Sequence, residues 1–155
     1  SKMASNGTPH DEIVEAILNT QTKIQLFAGI KDLTYIVKGG RMPKYVKIIA
    51  DILHIRPILA IDNTGKLGPS GILYGKKNIA KKLAKVIINK LDNEKSYIIS
   101  IGYCNCPEEG KKLLDLLSNS NINIHDTHLL EVGGALGVHA GPGSLVTGIQ
   151  EYQPE

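Results

Sequence analysis

An imidazole set among glycines is the feature of this sequence with the greatest chemical capacity. It lies in GVHAGPGS, Gly137 to Ser144, where His139 is followed by Gly141, Pro142, Gly143 and Ser144. Glycine reaches positive φ and lets another group approach the backbone closely, while proline stiffens the turn. The bare N–H groups of such a turn can point at an anion, and a histidine can donate to the same anion. The expected chemistry is recognition of a carboxylate or phosphate by His139, Gly141, Gly143 and Ser144. The same residues equally suit a tight turn in which His139 makes a structural hydrogen bond, and spacing does not separate the two readings.

A second stretch, VKGGRMPK from Val37 to Lys44, carries an arginine behind two glycines. Gly39 and Gly40 are explained by a helix stop in the left-handed conformation. Arg41 is not, and its guanidinium would sit at a tip, able to grip a phosphate or an acidic partner. Cys104, Cys106, His125 and His128 have residue types that suit zinc. One residue between the cysteines is not the usual C-x₂₋₄-C spacing, however, and histidines three apart on a strand point to opposite faces. No metal site is assigned. There is no G-x-S-x-G elbow, P-loop or H-E-x-x-H, and a Ser144–His139 pair would lack a carboxylate to orient the imidazole. A hydrolase is disfavoured and no catalytic residue is assigned.

The elements that must position these residues follow from periodicity. Helices are expected over residues 9–20, over 33–38 with Asp32 as its cap, from Pro43 to about His54, over 76–91 and over 107–118. The helix after Pro43 is expected to turn Val46, Ile49, Ala50 and Leu53 to one face. Strands are expected over 23–30, 56–62, 96–104, 122–130 and 144–152, with LGPSGILY forming a hairpin after the turn at Asn63–Lys66. A short turn or helix covers Gly133 to Val138. Strands interleaved with helices and including a hairpin predict a two-layer α/β sandwich, a mixed β-sheet with helices packed on it.

At 155 residues, 42% hydrophobic and 21% charged, the chain has the size and composition of one globular domain. Residues 1–10 are expected as a flexible start, with Ser1–Met3 read as a cloning remnant, and 11–155 as a single lobe. The net charge of +3, two arginines, one Phe and no Trp argue against nucleic acid. No apolar run approaches the roughly 20 residues of a membrane span, and no signal peptide is visible. Two cysteines separated by one residue make a strained disulfide pair, so a reducing, cytoplasmic setting is expected.

The order DLTYIVKGGRM, an apolar helix, ILHIRPILAIDNTGKL, a lysine-rich helix and GVHAGPGS resembles the DegV family, specifically its carboxy-terminal lobe, from about Phe27 to Ile149. The resemblance implies a bacterial lipid-binding protein whose two α/β lobes hold a long-chain fatty acid between them. It implies a non-catalytic carrier without cofactors that presents the acyl carboxylate to a kinase subunit of a fatty acid kinase system. His139 would correspond to the family's carboxylate-holding histidine, and Arg41, with Gly39 and Gly40, to the segment implicated in engaging the kinase. The amino-terminal lobe, with its hydroxyl ligands, would be a partner outside these residues. An apolar face is then expected to be open, favouring a homodimer of the isolated lobe. The alternative is a regulatory module appended to a dihydroxyacetone-kinase-like protein.

Overall fold

In the computed structural model, residues 2–21, 23–61, 65–75 and 78–152 are described. The chain forms α1 (Lys2–Ser5), α2 (His10–Gln21), β1 (Ile24–Gly29), α3 (Leu33–Lys38), α4 (Lys44–Ile52), β2 (Ile55–Ile61), β3 (Leu67–Tyr74), α5 (Ile79–Lys90), β4 (Ser96–Tyr103), α6 (Pro107–Ser118), β5 (Asn123–Glu131), α7 (Gly134–Ala140) and β6 (Leu145–Glu151). The strands make one sheet in the order β3-β2-β1-β6-β4-β5. The β4–β5 pair is parallel, joined through α6, and the other pairs are antiparallel. The mixed α/β sandwich expected from the alternation of elements is therefore the fold. Lys76, Lys77 and the start of the hairpin turn at Asn63 lie outside the described residues. The opening, expected as a flexible start, holds the single turn of α1.

Period-two alternation sends alternate strand residues to two different environments. One row runs Ala60, Phe27, Thr147, Ile101, Leu129 across five strands. Helices α5 and α6 close over this face with Leu83, Ile87, Leu113 and Leu117 fully buried, giving one continuous apolar core with Phe27, Ile99 and Ile149. The opposite row runs Leu59, Ala28, Val146, Gly102, Leu130. This face carries a smaller cluster with Leu33, Ile36, Ala50 and Ala140 from α3, α4 and α7.

Helix α4 is anchored from beneath. Arg56, buried on β2, bridges to Asp51 at 2.7 Å and donates to the carbonyl of Ile55 at 2.6 Å and, more weakly, to those of Ala50 and Lys31. Its guanidinium is consumed within the fold. Ala50 packs inward, but Ile49 and Leu53, expected to face the core, are exposed. The helix has two apolar stripes, and the sheet receives the narrower one. Helix α2 has no buried residue.

Candidate functional site

The two glycine-bearing motifs meet in space, because α3 packs against α7. Helix α3 begins where the Asp32 side chain accepts from the Thr34 N–H at 2.9 Å. It ends in a Schellman turn, with Gly40 N–H donating to Val37 and Arg41 N–H to Ile36, both at 3.0 Å, and with Gly40 at φ +74°. The cap residue Gly39 has an ordinary φ of −74°, so its lack of a side chain serves another purpose. A Cβ at Gly39 would overlap the imidazole of His139, with Nδ1 the nearest atom. The ring of one motif rests on the bare backbone of the other.

His139 belongs to the last turn of α7 and not to a loop. The stretch expected as a short turn or helix over Gly133 to Val138 is helical and runs further, through His139, where it packs on α3. Gly141 stops it at φ +76° and ψ 161°, a conformation confined almost entirely to glycine, and a Cβ there would strike the Tyr35 ring.

The loop N–H groups expected to greet an anion are engaged elsewhere. Gly141 N–H donates to the Gly137 carbonyl at 2.8 Å, Gly143 N–H to Cys104 at 2.7 Å and Ser144 N–H to Gly141 at 3.3 Å. The Ser144 side chain is fully buried; its Oγ donates to the Ala140 carbonyl at 2.7 Å and accepts from the Lys31 N–H at 3.1 Å. In this structure Gly141, Gly143 and Ser144 frame the end of α7, with their N–H groups and the Ser144 hydroxyl bonded within the protein. The same burial removes Ser144 as a nucleophile.

His139 is different. Its Nδ1 is buried and has no hydrogen-bond partner in the protein. The ring lines an apolar groove of about 300 Å³, floored by Leu26, Ala28 and Val146 and walled by Ile36 and Leu136. Arg41 reaches the same groove. It is exposed, and its guanidinium is steadied by a 2.6 Å hydrogen bond to the Gly39 carbonyl. Sequence reasoning placed Arg41 at a tip facing a partner; the structure also sets it with His139 on the lining of the same apolar groove. Leu136 and Val146 are shared with a second groove of about 450 Å³, whose walls include Gly102, Gly133 and Gly148. The lining residues Leu26, Ile36 and Leu136 had no signal beyond ordinary periodicity, so the groove was not legible as such.

The other candidates do not assemble. Cys104 and Cys106 are both free thiols, pushed up in pKa first of all by burial. His125 stacks on Tyr152 with ring centroids 3.6 Å apart, while His128 lies 3.7 Å from Asp126. Among the described residues no cluster of three or more His, Cys, Asp or Glu could hold a metal ion, and no helix is long and apolar enough to cross a membrane.

The model of the DegV family, described as a family of uncharacterised proteins, matches residues 1–151. A DegV domain-containing protein of Clostridium perfringens is 31% identical over 151 residues, covering 97% of this chain and 53% of that protein. The fold matches a fatty acid binding DegV family protein of Streptococcus agalactiae with a TM-score of 0.81 at 27% identity, over 98% of this chain and 53% of the other. It also matches a DegV family protein of Eubacterium eligens loaded with heptadecanoic acid, with a TM-score of 0.80 at 22% identity, over 97% and 54% of the two chains. The chain spans about half the length of the relatives it matches.

Proposed function

Because this chain belongs to the DegV family, we propose that its groove holds a long-chain fatty acid, with the carboxylate at His139 and the tail along β1, β2 and β6. The observation that carries the reading is the His139 imidazole, which lines a wall of aliphatic side chains while its Nδ1 is buried over Gly39 without a partner. A buried polar atom without a partner costs about 1–3 kcal/mol, so a turn of the ring that brings this nitrogen to a ligand oxygen is favoured. A neutral apolar guest would offer no such oxygen. Each methylene of the tail then adds about 0.8 kcal/mol on burial, so the groove supplies most of the affinity and the imidazole sets the orientation. Arg41 adds a positive charge that favours the ionised acid over its ester or alcohol.

In this reading the chain does no chemistry itself. It is one lobe of a carrier, completed by an amino-terminal lobe, and delivers an acyl carboxylate to a kinase subunit. The Gly39–Gly40–Arg41 turn forms the contact with that kinase, a role suited to an exposed guanidinium at the mouth of the groove. The setting is the bacterial cytoplasm. Lipid extraction and mass spectrometry of the purified chain test the binding step. The wild type is expected to yield a long-chain acid and His139→Ala to yield far less. Equal yields from both, or acyl lipid from neither, would end the proposal.

A further inference from the structure

Helices α3 and α7 are interlocked by an exchange of rings. On α3, Tyr35 and Gly39 are four residues apart, so a ring and a bare position follow one another on one helical face. At the end of α7, His139 and Gly141 repeat that pairing two residues apart. The His139 imidazole fills the place that a Gly39 side chain would take, and the Tyr35 ring lies so close to Gly141 that any Cβ there would collide with it. Each element receives the other's ring where it has no side chain of its own.

The two halves of the exchange act differently. Gly39 meets the imidazole with backbone alone, so no side chain of its own blocks a turn of that ring. Tyr35 meets Gly141 with a broad flat ring and so restrains the backbone two residues beyond His139. Helix α7 needs such a restraint. It has seven residues, Gly134 and Gly137 among them, and its cap residue Gly133 makes no side-chain hydrogen bond. A helix so short and so rich in glycine has little stability of its own. The Ser144 hydroxyl fixes its last carbonyl, on Ala140, and Tyr35 covers the following residue from the side. Tyr35 does not line the groove, so its influence on a guest passes through α7.

We propose that Tyr35 is a positioning residue for the imidazole: its ring clamps Gly141 and thereby holds the last turn of α7 with His139 on the groove wall. The proposal rests on the fatty acid reading for its ligand, because an imidazole in this place serves an acid head group. The clamp governs which head group is accepted, while the aliphatic walls govern how strongly the tail is held. Loss of the clamp removes head-group discrimination and leaves tail binding in place.

Titration of the purified chain with palmitate and with hexadecanol, by displacement of a fluorescent apolar dye, tests this. The wild type is expected to bind the acid at least about tenfold more tightly than the alcohol. Tyr35→Ala is expected to lose most of that ratio with its affinity for the alcohol unchanged, as His139→Ala does, and Tyr35→Phe to keep it. Tyr35 is 37% exposed, so truncation should leave a folded chain by circular dichroism. Tyr35→Leu, which retains apolar bulk without the flat ring, is the second variant and should also lose the ratio. In the ligand-free chain the His139 ring signal in NMR, assigned with His139→Ala, should move in Tyr35→Ala and Tyr35→Leu and stay in place in Tyr35→Phe. Given a wild type that prefers the acid, a ratio unchanged in the folded Ala and Leu variants overturns the clamp, as does an unmoved ring signal. A wild type without that preference, or a preference that survives His139→Ala, overturns the fatty acid reading instead, and the ring signal alone then decides whether Tyr35 places the imidazole.

Discussion

Among the described residues, the two faces of the sheet contain one unpartnered buried side-chain polar atom each, and the two atoms have opposite meanings. On the face covered by α5 and α6, Thr147 Oγ1 sits in the row between Phe27 and Ile101, on a fully buried residue. On the other face, His139 Nδ1 lies over Gly39 at the wall of an apolar groove. The first belongs to a fully buried residue of the sealed face, so it is a cost carried by the fold. The second belongs to a ring that lines an apolar groove, so in the proposed reading the same chemical deficit becomes a means of recognition. The difference arises from the helices: two long ones seal one face, and three shorter ones cover the other in part.

The largest expected effect is on the sealed face. Leu83→Ala should cost about 2–5 kcal/mol of stability in urea unfolding, because the fully buried site leaves a cavity between α5 and the sheet. A cost below about 1 kcal/mol would mean that this face is not the main core.

Next come the adjacent glycines of the α3 turn, which separate the site from the scaffold. Gly39→Ala should weaken fatty acid binding at least about tenfold, since its methyl must displace the imidazole, while the backbone suffers no strain. Gly40→Ala should do the reverse, costing about 1–2 kcal/mol of stability for its positive φ and leaving binding intact, because nothing lies within 4 Å of its Cβ. Titration with a fatty acid and urea unfolding of both variants check the contrast; similar profiles for the two would break it.

Thr147→Val keeps the shape and removes the orphan hydroxyl. It is expected to raise stability by about 1 kcal/mol in thermal unfolding without changing lipid content. A loss of stability would show that the hydroxyl is paired after all.

The smallest effect concerns α4. The hydrogen bond from Lys47, with the nearby Arg56 charge, holds the Asp51 carboxyl below its ordinary value of 3.8. Its contribution is therefore fully present above the unfolded carboxyl pKa and is lost as pH falls through the lower, folded one. Asp51 is 38% exposed, so solvent screens most of the interaction. Asp51→Asn should flatten the acid limb of a stability–pH curve slightly and leave its neutral plateau lower by a small amount; a steeper acid limb would contradict the pairing.

Strand alternation and helix caps made most of the fold legible, down to Asp32 at the start of α3 and the glycine stop after Lys38. His139 and Arg41 were legible as residues with unused chemistry. Their proximity was not, because it depends on α3 meeting α7 through Gly39, a contact between positions 100 residues apart in the chain. The fate of the loop N–H groups was equally hidden, since Cys104 O and Gly137 O come within reach only after β4 and α7 are placed. Helix periodicity identified α4 but not its orientation, as its broader apolar stripe proved to be the outer one.

The most direct measurement is ¹³C NMR of a carboxyl-labelled long-chain fatty acid added to the lipid-free chain. The account predicts a distinct bound carboxylate resonance in the wild type that moves or vanishes in a folded His139→Leu variant. The same bound resonance in both proteins would contradict it, because the acid would then be held without the imidazole on which the site is built.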